Sequence, residues 1–120
     1  MNYLGGDKKR MRKNTRTKVW PDTKATIKVA DPTSPVRKIL TVTGNVSDLG
    51  GHGLFLITKE AVPVPAKAEI FIDFDPLHPA SLTIEALGEV VRSAENGVGI
   101  RFTTINMEKL QNCILARMNR

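Results

Sequence analysis

Two arginines four residues apart, Arg12 and Arg16, stand in the stretch KKRMRKNTR (residues 8–16), six of whose nine residues are basic. A guanidinium presents a planar fork of donors that matches phosphate oxygens, or the O6/N7 edge of guanine, two at a time. Its flat face also stacks on a base. Two such groups at this spacing can grip one compact dianion from both sides when the segment folds over it. Arg10 and Lys13 are further candidate contacts, while Lys8 and Lys9 supply long-range attraction. The spacing alone is a weak signal, because a solvated cationic tail has the same composition.

A second polar constellation is NVSDLGGHGLFL (residues 45–56). An Asn or Asp side-chain oxygen accepts hydrogen bonds from guanine N1–H and N2–H₂, a Ser hydroxyl adds a contact, and Gly lets the backbone approach closely. The stretch offers such groups at Asn45, Ser47, Asp48, Gly50 and Gly53, and the plain alternative is a glycine-bearing hairpin turn. GVGIRF (residues 97–102) reads as a strand, with Arg101 pairing on the surface.

The formal net charge of +6 is unevenly placed. Residues 1–28 carry a net +7 and residues 29–120 a net −1. A near-neutral body with a cationic arm implies an anionic partner met at one place. A single cysteine, Cys113, makes no internal disulfide, which fits a reducing, cytoplasmic setting. No apolar run approaches the roughly 20 residues of a membrane span. Two distant histidines give a metal site no support, and no Ser/His/Asp, Cys/His or paired-carboxylate spacing points to catalysis. The reading is therefore a binding domain, not an enzyme, with no metal and no cofactor.

Residues 1–18 lack an apolar period and read as a flexible basic N-terminal arm; residues 19–120 read as one domain. TKATIKVA places Ala25, Ile27 and Val29 on one face, and ILTVTGNV alternates Leu40, Val42, Gly44 and Val46 against Ile39, Thr41 and Thr43. GLFLIT (53–58), AEIFIDF (68–74), SLTIEALGEVVR (81–92) and GVGIRF (97–102) follow, separated by proline connectors and the turn SAENG. In NMEKLQNCILARM the period changes to helical, with Asn106 as N-cap and Met107, Leu110, Cys113, Ile114 and Met118 at helical spacing. Six short strands and a C-terminal helix over about 106–118 predict an all-β fold, a six-stranded antiparallel barrel that leaves no exposed strand edge. Trp20 reads as a cap on the barrel that anchors the arm, and Cys113 as a small core residue. Arg92 points outward if Val91 is buried, His52 faces solvent, and the four phenylalanines look mostly internal.

Taken in order over residues 10–118, the RxxxR arm, the Asn/Ser/Gly turn, GVGIRF and the closing helix resemble the PilZ domain family. The resemblance implies a split-barrel type fold and binding of cyclic di-GMP, with Arg12 and Arg16 on phosphate and guanine and the polar turn on a guanine edge. The family's turn motif fits in two registers. One is Asn45-x-Ser47-x-x-Gly50, which composition favours. The other runs from Asp48 through Gly50 to Gly53, where Gly53 leads straight into Leu54-Phe55-Leu56. In this second register Gly50 stands in place of the Ser, so the hydroxyl is lacking. Three functions follow. The first is a receptor whose arm rearranges on the nucleotide and alters a surface offered to an unidentified effector protein, in motility, adhesion or biofilm control. The second is a PilZ-like adaptor that has lost the ligand and acts through protein contacts. The third is a basic-armed barrel for single-stranded nucleic acid, ranked last because only six aromatics serve the whole chain.

Overall fold

Alternation of β-branched and aliphatic residues with polar ones builds the body of the molecule. The structure, a computed structural model, describes residues 20–31, 35–36, 38–77 and 82–119. The basic arm expected over residues 1–18 lies outside them. The elements are β1 (Lys24–Ala30), β2 (Ile39–Leu49), β3 (Gly53–Ile57), β4 (Ala66–Asp73), β5 (Thr83–Ala94), β6 (Gly97–Ile105) and α1 (Met107–Met118). The strands close into an antiparallel barrel in the order β1-β2-β3-β6-β5-β4. The expected six-stranded barrel with a C-terminal helix is thus observed.

The barrel interior is the predicted apolar set. Ala25, Ile27 and Val29 of β1, Val42 and Val46 of β2, Leu54 and Leu56 of β3, and Ile70 and Ile72 of β4 are all buried. Each fully buried Ile or Leu contributes about 1.5–3 kcal/mol relative to exposure, so this side-chain set drives closure. The polar residues between them face outward. Thr26 Oγ1 and Thr43 Oγ1, on paired residues of β1 and β2, lie 2.9 Å apart on that face.

The helix begins where Asn106 caps it: the Asn106 side chain accepts from Lys109 N at 2.9 Å. Glu108 in the first turn and Arg117 in the last complement the helix dipole. Leu110 and Cys113 are the helix residues buried on the barrel, and Cys113 Sγ lies 4.0 Å from the Thr83 carbonyl oxygen. Burial pushes the Cys113 thiol pKa up, against the opposing pull of Lys109.

Four local expectations are corrected. Met107 and Met118 keep the helical spacing but are exposed, because the inward face of α1 is centred on Leu110 and Cys113. Val91 is also exposed: a register shift between Val90 and Arg92 breaks the alternation, so Val91 and Arg92 both reach solvent. Of the phenylalanines only Phe74 is fully buried; Phe55 and Phe71 occupy outward strand positions and are half-buried. Finally, β4 starts at Ala66, directly after the prolines of the connector, and β5 runs on to Ala94.

Candidate functional site

The chain enters the barrel beside Asn45. Thr23 N donates to Trp20 O at 3.0 Å and closes a turn, and Val46 N then donates to Thr23 O at 3.1 Å. Thr23 itself is buried, its hydroxyl donating to Phe74 O at 3.0 Å. Residues 20–23 are thereby fixed against β2, and with them the point from which the basic segment departs.

Asn45 sits on the outward face of β2, opposite Lys24 of β1. Its Nδ2 donates to Pro21 O at 2.7 Å, and its Oδ1 accepts from Lys24 Nζ at 3.4 Å. A carbonyl can only accept and an ammonium can only donate, so these two neighbours fix which way the amide faces. The amide is held by Pro21, with its oxygen turned toward Lys24.

Two residues on, the β2–β3 ladder shifts register between Val46 and Asp48. Ser47 occupies this bulge and is exposed, whereas Asp48 is half-buried opposite Phe55. Gly50 N donates to Gly53 O at 3.0 Å and closes the hairpin, with His52 exposed at its tip. The backbone of the tip is tied down as well, since Phe102 N donates to His52 O at 2.7 Å.

The glycines of the turn have separate reasons. At Gly53, a Cβ would collide with the Ile100 carbonyl oxygen and lie 3.1 Å from Arg101 Cα. Close pairing of β3 with β6 therefore requires glycine there, whatever binds outside. At Gly51, a Cβ would come within 2.9 Å of Met107 Cε, which places the first residue of α1 against the turn.

Beside the bulge lies a small aromatic-cationic shelf. The Arg92 guanidinium carbon is 5.3 Å from the Phe55 ring centroid, a cation–π distance. Gly99 separates the two across the sheet, pairing with Phe55 on one side and Arg92 on the other. Arg92 faces outward as expected, but its pairing with Phe55 leaves no sequence signature. Phe55 is hidden in an apolar run, and nothing marks the bulge that brings the two together. Lys24 was likewise unremarkable until β1 placed it opposite Asn45. Arg101 pairs with Glu89 at 2.8 Å, the surface role expected of it.

Of the candidate contacts, then, Asn45, Ser47, Asp48, Gly50 and Gly53 lie together on one strand end and its turn. Arg10, Arg12, Lys13 and Arg16 lie outside the described residues. A groove of about 790 Å³ opens elsewhere on the barrel wall, lined by Lys28, Ala30, Ile39, Lys67 and Leu87 among others. It faces the end of β1 away from Lys24 and Asn45, so it is not part of this site.

Against known proteins, residues 10–116 match the model of the PilZ domain family. The chain belongs to that family, and is in class a cyclic di-GMP receptor-type domain. The matched span begins at Arg10 and so takes in Arg12 and Arg16 as well as the turn. No curated protein matches the chain. Among the described residues no helix is long and apolar enough to cross a membrane.

Proposed function

We propose that this domain binds cyclic di-GMP on the outer barrel face at Asn45 and Ser47, with Arg12 and Arg16 closing over it from the N-terminal arm. The observation that carries the reading is the Asn45 amide, oriented by Pro21 at the base of that arm. Asn45 Oδ1 accepts from guanine N1–H and N2–H₂, displacing its long contact with Lys24. Ser47, on the bulge, adds a hydroxyl contact, and Gly50 permits close approach of the turn backbone. Arg12 and Arg16 supply bidentate bonds to phosphate and to the guanine O6/N7 edge.

Tether length is compatible with this arrangement. Arg16 lies five positions before Pro21, and five extended steps of chain reach at most about 17 Å. The Asn45/Ser47 register is also favoured over the Asp48/Gly53 register, because packing against Ile100 already accounts for Gly53. Phe55 and Arg92 extend the face beyond Ser47 and offer a stacking surface for a base.

Ordering the arm on the nucleotide changes the surface around Trp20 and α1, and that changed surface is what an effector protein reads. The PilZ-like adaptor without ligand is the competing reading, supported by the absence of Ser from the second register. Isothermal titration with cyclic di-GMP separates the two: the receptor reading requires saturable heat that Arg12→Ala and Arg16→Ala each remove. A folded protein giving no heat at tens of micromolar nucleotide supports the adaptor instead.

A further inference from the structure

We propose that Arg117, in the last turn of α1, is a positioning residue for the nucleotide site, acting through the Trp20–Asp22 segment on Asn45. Three contacts converge on it. Arg117 Nη2 donates to Asp22 Oδ1 at 2.9 Å, Nε lies 3.6 Å from Asp75 Oδ2, and the guanidinium carbon is 5.0 Å from the Trp20 ring centroid. The Arg117 side chain is 11 % exposed and the Asp75 side chain fully buried, so the cation sits where solvent screens it little.

The arrangement forms a physical chain. Asp75, just after β4, holds Arg117 on its barrel side, and Asp75 Oδ1 in turn accepts from Leu77 N at 3.1 Å, which fixes the carboxylate. Arg117 then clamps Asp22 with its terminal nitrogen and Trp20 with its face. Between those two clamped residues lies Pro21, whose carbonyl orients the Asn45 amide at 2.7 Å. Three segments far apart in sequence, around residues 20–22, 75–77 and 117, thus converge on the amide of Asn45.

The planar fork matters here. A lysine at 117 restores the charge but cannot donate to Asp22, face Asp75 and cover an indole at once. The other end of α1 touches the other half of the site, because Met107 Cε limits the space at Gly51. The helix therefore contacts both the base of the arm and the β2–β3 turn, so the clamp links the helix to both halves of the site.

The consequence for affinity rests on the nucleotide reading above, whereas the positioning itself has readouts without nucleotide. The test uses the full chain as wild type, Arg117→Gln, Arg117→Lys and Asp22→Asn. Proton–nitrogen spectra follow the Asn45 side-chain amide, and emission follows Trp20, the sole tryptophan. In folded Arg117→Gln the Asn45 amide signals move toward those of an exposed amide and Trp20 emission shifts to the red. Cyclic di-GMP then binds about tenfold more weakly, within the usual span of coupling between linked sites. Arg117→Lys gives an intermediate result. Discrimination of cyclic di-GMP from cyclic di-AMP also narrows, which general loss of stability would not cause.

Should Arg117→Gln not fold, Asp22→Asn carries the same test, since it removes only the half-exposed partner. Unchanged Asn45 and Trp20 signals in a folded variant overturn the proposal. Wild-type protein that takes up no nucleotide defeats the receptor reading alone, and the two spectroscopic signals still decide whether Arg117 positions Asn45.

Discussion

Arg117 and Asp22, 95 residues apart in sequence, meet through a 2.9 Å ion pair that joins the end of the C-terminal helix to the start of the barrel. Asp75 backs the same guanidinium from inside. The pair links the segment that leads into β1 to the last turn of α1.

Removing the cation takes a guanidinium away from the buried Asp75 carboxylate. Arg117→Ala is expected to lower stability by about 3 kcal/mol, as for other buried pairs broken on one side. Urea unfolding followed by circular dichroism checks this, and a loss no larger than that of an exposed pair such as Arg101–Glu89 contradicts it.

Gly53→Ala tests whether the glycine serves packing or ligand. The added methyl meets the Ile100 carbonyl oxygen, so β3 and β6 must separate. A stability loss of about 1–3 kcal/mol is expected with or without nucleotide, read as a lower urea midpoint at constant slope. Full stability with lost nucleotide binding would assign Gly53 to the ligand and favour the Asp48/Gly53 register.

Ser47→Ala distinguishes the registers from the other side. The exposed bulge tolerates the change, so the fold is unaffected. Cyclic di-GMP affinity is expected to fall about fivefold, matching the ~1 kcal/mol of an ordinary hydrogen bond. An unchanged dissociation constant removes Ser47 from the site.

The barrel was legible in the sequence because period two survives in every strand: Ala25, Ile27 and Val29 announce β1 as clearly as Val98 and Ile100 announce β6. Two bulges defeat the same rule locally. Alternation carried past Val90 places Arg92 inside, and the register shift between the two leaves both Val91 and Arg92 outside. Asn45 and Ser47 were legible as polar candidates but read as part of a turn, whereas both lie within β2, which runs on to Leu49. The bond from Asn45 to Pro21 was not legible, since nothing local ties residue 45 to residue 21. Arg117 gave no signal at all; its role comes from three partners that only the closed barrel brings together.

Cys113 offers a check on how α1 seats. Desolvation raises its thiol pKa, with Lys109 opposing. The stability this thiol contributes is full below its unfolded pKa and is lost as pH rises through the raised folded value. Iodoacetamide at pH 8 is therefore expected to label Cys113 far more slowly in the folded protein than in urea. Equal rates would mean that the helix leaves the barrel readily.

The most direct test of the receptor reading is calorimetric titration of the full chain with cyclic di-GMP, beside Arg12→Ala, Arg16→Ala and Lys9→Ala. Saturable binding is expected for wild type and for Lys9→Ala, with binding abolished or greatly weakened in both arginine variants. No heat from folded wild-type protein at tens of micromolar nucleotide, or binding that survives the loss of Arg12 and of Arg16, contradicts it.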